Sequence, residues 1–244
     1  MGEALAARGL SKQFGPVRAV EGVDLHVAAG EVVGLLGPNG AGKTTTLRML
    51  VGIIAPTAGE VRVNGVDLRQ QTLQAKQRIG FLSGETQLYQ RLSPREVLAY
   101  FGRLYGMTEA ALAARIPQLI AELEMGDFAD RPCRTLSSGQ KQRANLARAF
   151  LHQPDVLILD EPTAALDVVS GRFIVEAIRR ERAAGRAVLF STHIMSEAEY
   201  LCDRIYLLLG GRIVDHGPLP RLLARTGARS LTDALLYHLA RPNC

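Results

Sequence analysis

The feature that most constrains the fold is a glycine-rich octapeptide placed between a short apolar run and a helical stretch. Residues 37–44 read Gly-Pro-Asn-Gly-Ala-Gly-Lys-Thr and fit the pattern GxxxxGK[ST] in full. Residues 31–36 are rich in strand formers, and residues 44–50 contain neither glycine nor proline. A strand, a glycine loop and a helix in this order predict an α/β sheet with a phosphate-binding loop at its edge.

The chemistry of such a loop assigns a role to its residues. The backbone N–H groups curl around an anion, and the helix N-terminus adds partial positive charge. We expect Lys43 to reach the β- and γ-phosphates of a nucleotide and the Thr44 hydroxyl to bind Mg²⁺. The alternative, a strand-to-helix turn with an exposed lysine, fits the surrounding pattern less well. The predicted nucleotide-binding residues here are Gly37, Pro38, Asn39, Gly40, Ala41, Gly42, Lys43, Thr44 and Thr45.

Two acidic residues follow a second apolar strand. Asp160 and Glu161 come directly after residues 156–159, Val-Leu-Ile-Leu, and before Pro162. In open α/β sheets ligands bind at the carboxyl ends of the strands. We therefore expect Asp160 to bind Mg²⁺ and Glu161 to polarise a water for in-line attack on a γ-phosphate. Taken alone, the pair is equally compatible with an ordinary acidic turn; the phosphate loop upstream favours the catalytic interpretation.

Composition narrows the class of protein. The 244 residues carry a net charge of +5, and only four of the 29 basic residues are lysine. Arginine scattered along the chain favours a solvated surface over a nucleic-acid-binding tail. No apolar run reaches the roughly 18 to 20 residues needed to cross a bilayer, and the first residues lack a signal-peptide pattern. Three distant cysteines predict neither a disulfide framework nor a zinc site, and they favour a reducing compartment: Cys133, Cys202 and Cys244.

The second half of the chain alternates strands with helices. Strands are predicted at 156–159, 187–191 and 205–209, and helices at 170–184 and 196–201. Near-continuous apolar strands in such an alternation indicate a buried, mostly parallel sheet. The predicted fold class is therefore α/β.

The middle of the chain is rich in helix signals. Residues 93–96, Ser-Pro-Arg-Glu, form a capping box that starts a helix through Tyr105. We expect residues 108–130 to continue helical, with an apolar stripe interrupted by Pro117. A second box, Ser and Gln at the ends of residues 137–140, opens a further helix.

Residues 136–140, Leu-Ser-Ser-Gly-Gln, are where the chain resembles a known family, the ABC-type ATPases, whose signature is LSGGQ before a helix. Residues 157–163 are similar to the family's second nucleotide motif, and residues 165–167 to its D-loop. Residues 191–193, Ser-Thr-His, resemble its switch histidine, and Phe14 matches the aromatic that stacks on adenine. The phosphate loop, the signature, the second nucleotide motif, the D-loop and the switch histidine follow one another in family order. These five motifs make the resemblance specific, and it spans nearly the whole chain.

The resemblance implies a head-to-tail pair of subunits that clamps two ATP molecules with Mg²⁺. Each nucleotide would be bound by the phosphate loop of one chain and by the start of the signature helix of the other. His193 would sense the γ-phosphate, and Asp167 would tie the facing sites together. The signature residues expected to face the partner's ATP are Ser137, Gly139 and Gln140.

The resemblance also implies how the chain is divided. It predicts a P-loop NTPase core with a mostly parallel sheet, an N-terminal antiparallel β subdomain and an inserted helical subdomain. The core would comprise residues 1–84 and 136–218 of one domain spanning 1–244. The helical subdomain would be 85–135, and residues 219–244 would form a C-terminal helical tail, for which amphipathic helices are expected.

One position departs from the family. The family usually has a glutamine two residues after a strand like residues 79–82, and here Ser83 and Gly84 follow the strand. Glu85 or Gln87 could replace that glutamine at the metal or the attacking water. The sequence leaves both open.

The leading functional hypothesis is the ATPase subunit of a membrane transporter, peripheral at the cytoplasmic face of the cell membrane, on an integral membrane permease. Residues 80–96 resemble the exporter branch whose members move sodium, drugs or other small molecules. The pair of ATPase subunits is expected to be a homodimer. An ABC-type ATPase coupled to nucleic acid is the alternative. The DNA-repair members of that class have long coiled coils or zinc cysteines, and the translation members usually have two ATPase domains in one chain. This chain shows none of these features, so we expect no nucleic-acid partner. A binding module without catalysis would require loss of Lys43 or Glu161, and both are present.

Overall fold

The structure is a computed structural model and describes residues 2–84, 87–164 and 166–240. The described residues form two β-sheets. Within the described residues there are ten strands: β1 (Glu3–Phe14), β2 (Val17–Ala28), β3 (Val32–Leu36), β4 (Ala58–Val63), β5 (Val66–Asp67), β6 (Ile79–Leu82), β7 (Val156–Asp160), β8 (Ala187–Thr192), β9 (Arg204–Leu209) and β10 (Arg212–Gly217).

Nine α-helices connect and cover these strands in the described part of the chain. The helix that begins at Lys43 follows the glycine loop directly, as the sequence predicts. The helices are α1 (Lys43–Leu50), α2 (Thr72–Gln77), α3 (Pro94–Leu104), α4 (Glu109–Glu122), α5 (Ser138–Phe150), α6 (Val168–Ala183), α7 (Met195–Leu201), α8 (Leu219–Thr226) and α9 (Leu231–Leu239), with a short 3₁₀ turn at Cys133–Thr135.

The two sheets confirm the predicted α/β class. An antiparallel sheet has the order β2-β1-β4-β5, and a six-stranded sheet has the order β10-β9-β3-β8-β7-β6. In the larger sheet every neighbouring pair is parallel except β9 with the edge strand β10. Every residue of β3, β7 and β8 is buried, which explains why those segments read as continuous apolar runs.

The register of the parallel sheet sets the location of the site. Leu36 of β3 pairs with Thr192 of β8, and Asp160 of β7 pairs with Ser191. Since parallel strands end at the same edge of a sheet, the glycine loop, the acidic pair and the segment after β8 meet there.

The predicted helix over residues 108–130 is wrong in its extent. α4 runs through Pro117 without ending but stops at Glu122. Glu124 adopts a left-handed backbone with φ of 49°, and the Met125 N–H donates to the Ile120 carbonyl at 2.8 Å. This is the Schellman pattern of helix termination, here without the usual glycine, so the sequence gives no obvious stop signal.

Within residues 219–240, the described part of the C-terminal tail, α8 and α9 form and pack on α7. Leu222 and Leu231 are buried in one apolar cluster with Leu207 of β9, and the Leu231 N–H donates to Glu199 of α7 at 2.7 Å. Across the described residues, none of the helices combines the length and the apolarity required to span a membrane.

Candidate functional site

The glycine loop brings backbone against backbone at two positions. Gly42 has a φ of 103°, and a Cβ there would lie 2.6 Å from the Ala19 carbonyl oxygen. A Cβ on Gly37 would lie 2.1 Å from the carbonyl oxygen of Leu208. Glycine is therefore required at both, by conformation and by close approach at Gly42 and by close approach alone at Gly37. Among the described residues no side chain caps the N-terminus of α1, so its partial positive charge faces the cleft.

Lys43 is buried at the base of this loop. Its Nζ donates to the carbonyl oxygens of Gly37 at 2.8 Å and Pro38 at 3.2 Å, and it lies 3.8 Å from Oε1 of Glu161. Burial lowers the pKa of the Lys43 ammonium, while the charges of Glu161 and Asp160 oppose that shift. The ammonium is thus a desolvated cation that an anion in the loop would contact at short range.

A cleft of about 360 Å³ opens in front of the loop. Arg18 and the pair Gly210 and Gly211 line it as well; sequence reasoning did not single these out, because their strands reach the loop only through the tertiary fold. Seven of the sequence-predicted site residues line the cleft: Asn39, Gly40, Gly42, Lys43, Thr44, Thr45 and Glu161.

The acidic pair is divided between a buried and an accessible carboxylate. Asp160 ends β7, is only 4% exposed and accepts a hydrogen bond of 2.6 Å from the Ser191 hydroxyl. Glu161 has a left-handed backbone with φ of 48°, which costs a non-glycine residue about 1 to 2 kcal/mol. The Glu161 N–H donates to Ser191, to the carbonyl and to the hydroxyl oxygen, at 3.1 Å each. Ser191 therefore fixes the turn that points Glu161 into the cleft.

His193 completes the group at the sheet edge. Its Nδ1 lies 3.3 Å from Oε2 of Glu161, and its side chain is about half exposed. The structure thus brings Lys43, Glu161 and His193 together from three different segments. Such an arrangement can bind a phosphate chain and orient a water beside its terminal group.

The donors available to Mg²⁺ are few but chemically suitable. Asp160 and the Thr44 hydroxyl offer oxygen ligands, which Mg²⁺ prefers. The described residues contain no cluster of three or more histidine, cysteine or acidic side chains able to bind a metal. A site with one or two protein oxygens fits Mg²⁺, since this ion usually completes its octahedron with water and substrate phosphates.

The signature residues form a second helix terminus, apart from the cleft. The Ser137 hydroxyl accepts from the Gln140 N–H at 3.2 Å, and the Gln140 side chain accepts from the Ser137 N–H at 3.0 Å. A Cβ on Gly139 would lie 2.7 Å from the hydroxyl of Ser170, and that hydroxyl donates to Asp167 at 2.9 Å. Ser137, Gly139, Gln140 and Asp167 therefore lie together, but none of them lines the phosphate cleft as the described residues define it.

Phe14 lies at the end of β1 and is 48% exposed, with the Lys12 ammonium 5.0 Å from its ring. The ring does not line the cleft in the described part of the chain, although Val17 and Arg18 do. An exposed ring beside a phosphate cleft is available for stacking, and its adenine contact stays a prediction.

The replacement for the family's glutamine also stays a prediction. Gly84 lies beside β7, since a Cβ there would be 3.5 Å from the Asp160 carbonyl oxygen. Gln87 is exposed and lies outside the cleft lining that the described residues form. Glu85, like Ala165 of the D-loop, lies outside the described residues.

Comparisons with known proteins agree with this geometry. Residues 20–164 match the family described as ABC transporter. The chain is 40% identical over 226 residues to the ABC transporter ATP-binding protein NatA of Bacillus subtilis (strain 168), covering 92% of both chains. It is 43% identical over 215 residues to the Nod factor export ATP-binding protein I of Paraburkholderia xenovorans (strain LB400), covering 88% of this chain and 71% of that protein.

Solved structures share the fold. An ATP-binding subunit of an ABC transporter superposes with a TM-score of 0.88 at 31% identity, covering 96% of this chain and 98% of the other. A dimeric ATP-binding cassette in a post-hydrolysis state, bound to ADP and Pi, superposes with a TM-score of 0.80 at 26% identity over 88% and 98% of the two chains. The chain therefore belongs to the ABC transporter family of ATP-binding proteins, and it is an ATPase associated with transport.

Proposed function

We propose that this chain is the ATP-hydrolysing subunit of a membrane exporter, acting as a homodimer on a separate membrane-spanning permease at the cytoplasmic face of the membrane. The observation that carries the hydrolytic part is the convergence of Lys43, Glu161 and His193 at one sheet edge. The export direction is supported by the relatives, which include a Nod factor export protein and a linearmycin resistance protein, LnrL, of Bacillus subtilis (strain 168). These relatives are named for export and drug resistance, so they do not favour the nucleic-acid alternative.

The residues at the sheet edge would share the hydrolysis of ATP. Lys43 and the loop amides bind the β- and γ-phosphates. Thr44 and Asp160 would hold Mg²⁺, which would supply positive charge against the negative charge that develops on the phosphate oxygens. Glu161 orients and polarises the attacking water, and His193 contacts the γ-phosphate from the neighbouring strand.

The signature helix supports a two-chain arrangement. In this proposal the N-terminus of α5 binds the nucleotide of a second copy, with Ser137, Gly139 and Gln140 beside it and Asp167 at the same surface. A helix N-terminus attracts phosphate, and within one chain this terminus does not line the phosphate cleft formed by the described residues. The dimeric relative bound to ADP and Pi supports the same arrangement.

An exposed aromatic surface on the helical region supports the permease partner. Tyr89, Tyr100 and Leu104 are 51%, 43% and 65% exposed, and the rings of Tyr89 and Tyr100 lie 5.6 Å apart, edge to face. A groove of about 480 Å³, lined by Phe101 and Tyr105 among others, lies beside them. A cluster of large exposed apolar side chains marks a protein contact surface, and in this proposal the permease binds there.

The experiment is a pair of substitutions at the cleft, measured in the purified full chain. Glu161→Gln removes the general base but keeps the shape, so turnover should fall by at least about a hundredfold while ATP binding is retained and an ATP-bound dimer accumulates. Lys43→Ala should weaken ATP binding instead, because its ammonium contacts the ground-state phosphates. Asp155→Asn, an acid at the opposite end of β7, is the matched control and should hydrolyse ATP normally. Wild-type turnover in Glu161→Gln would contradict the assignment.

A further inference from the structure

A carboxylate outside the phosphate cleft joins the two segments that carry Glu161 and His193. Glu197 lies in the first half of α7, and one of its oxygens, Oε2, accepts two hydrogen bonds. The Thr163 hydroxyl donates to it at 2.7 Å, and the Thr192 hydroxyl at 3.2 Å. Both threonines are buried, at 5% and 2% exposure, so leaving either hydroxyl without an acceptor would destabilise the folded chain.

The Thr192 hydroxyl connects Glu197 to the turn that carries His193. A hydroxyl has one proton to donate and two lone pairs that accept. Thr192 donates its proton to Glu197 and accepts from the Ile194 N–H at 3.0 Å. Since Thr192 and Ile194 flank His193, the backbone on both sides of the histidine is fixed by this chain of two hydrogen bonds.

Thr163 connects the same carboxylate to the turn after β7. It lies two residues beyond Glu161, whose left-handed backbone is held on its N-terminal side by Ser191. Glu197 therefore fixes the outgoing side of that turn, through the Thr163 hydroxyl. The 3.3 Å separation of Glu161 and His193 depends on two loops from neighbouring strands. Ser191 joins them on the strand side, and Glu197 joins them on the side of α7.

We propose that Glu197 is a positioning residue for ATP hydrolysis, which sets the relative placement of Glu161 and His193 by accepting hydrogen bonds from Thr163 and Thr192. This inference rests on the proposed roles of Glu161 and His193. Glu197 does not line the phosphate cleft among the described residues, so it acts on turnover and not on nucleotide affinity. Misplacement of reacting groups by about 1 Å can cost two orders of magnitude in rate.

The test compares three variants of the purified full chain in steady-state ATP hydrolysis. Glu197→Ala removes the shared acceptor and should lower kcat at least about tenfold, with the KM for ATP within about twofold of wild type. Glu197→Gln can place its amide oxygen at the Oε2 position and accept both hydrogen bonds, so it should restore most of kcat. Glu199→Ala is the matched control: it lies in the same helix, but its carboxylate accepts from Leu231 in the tail, and kcat should stay near wild type.

Several outcomes would overturn the proposal: an unchanged kcat in Glu197→Ala, an equal loss in Glu199→Ala, or a loss that Glu197→Gln does not restore. If Glu197→Ala fails to fold, Thr163→Val and Thr192→Val remove one donor each while conserving shape. Both variants should lower kcat at constant KM. Wild-type kcat in both would contradict the proposal. Glu161→Gln, measured in parallel, separates the two proposals. An inactive Glu161→Gln with a fully active Glu197→Ala rejects the positioning role alone, whereas an active Glu161→Gln rejects the proposed function.

Discussion

Two helices of this protein begin at a motif that resembles an anion site, and their N-termini differ. α1 begins after Gly42, with no side-chain cap among the described residues and with the buried Lys43 as its first residue. α5 begins after Ser137, with a complete capping box in which Ser137 and Gln140 satisfy each other's backbone N–H groups. The first terminus leaves its donors to a ligand, whereas the second satisfies two of its donors internally. The difference fits the proposal that α1 binds phosphate within one chain, and that α5 contributes only when another chain supplies the anion.

The largest expected effect is that of a substitution at Gly42, because the backbone there differs from the backbone at Gly139 of the second terminus. Gly42→Val places a Cβ against the Ala19 carbonyl oxygen and puts a β-branched residue at a φ of 103°, so ATP binding should be lost and the chain destabilised by more than about 2 kcal/mol. Gly139→Ala is the control at the second terminus. Its Cβ would lie 2.7 Å from the Ser170 hydroxyl and 3.3 Å from the Ser170 Cβ. These atoms belong to a side chain outside the phosphate cleft that the described residues form, so ATP affinity of the single chain should not change. Isothermal titration calorimetry measures the ATP affinity of both variants. An equal loss of affinity in the two would contradict the proposed difference between the termini.

The sequence predicts the N-terminus of α1 better than it predicts the contacts that orient Glu161 and His193. The strand before Gly37, the loop and α1 are contiguous, so their pattern alone predicts them. Ser191 and Glu197, by contrast, meet Asp160, Thr163 and Thr192 only through the parallel register of β7 and β8 and the packing of α7. A single sequence carries no signal of such pairing beyond the residue types.

Element boundaries fail for a related reason. α4 ends at Glu122 and is followed by a left-handed Glu124, a position where a glycine would have indicated the stop. Pro117 inside α4 is tolerated although proline normally interrupts a helix. The turn at Glu161 is likewise left-handed without glycine. In these places tertiary packing outweighs local preference, so local reasoning cannot locate them.

His152 follows the C-terminal end of α5, and its titration tests the contact that it makes with Tyr105, after α3, and with Ile79 of β6. The His152 ring stacks on Tyr105 at 3.8 Å between centroids, and its Nε2 lies 3.1 Å from the Ile79 carbonyl oxygen. Burial lowers the pKa of His152 to about 4, with a further contribution from the charge of Arg186. The imidazole is therefore neutral in the folded chain and is protonated more easily when unfolded, at a pKa near 6.5.

The sign of the pH dependence follows from this depressed pKa. The contribution of His152 is fully present above pH 6.5 and is lost as pH falls towards 4, because the unfolded chain then binds the extra proton. Between pH 7 and 5 the loss amounts to about 2 kcal/mol at most. His152→Phe keeps the stack but cannot be protonated, so its free energy of unfolding should fall less over that range. Denaturant titrations at several pH values measure this, and parallel curves for the two proteins would contradict the prediction.

The smallest expected effect is at the cap of α5, and it decides whether that terminus works between chains. Ser137→Ala removes the side-chain acceptor for the Gln140 N–H and should lower the free energy of unfolding by about 1 kcal/mol. Ser93→Ala removes the corresponding cap of α3, which has the same box with Glu96, and should cost a similar amount. ATP affinity of the single chain should be unchanged in both, since neither serine lines the phosphate cleft among the described residues.

The two serines should differ in assembly. In the Glu161→Gln background, light scattering should show an ATP-dependent dimer for Ser93→Ala and a weaker one for Ser137→Ala, because only α5 would meet the nucleotide of the second chain. Loss of a capping hydrogen bond frays the first turn and misorients its amides, which reduces the attraction of the terminus for phosphate. If both variants dimerise equally well, the box at α5 only starts the helix, and the contrast with α1 would then rest on the phosphate loop alone.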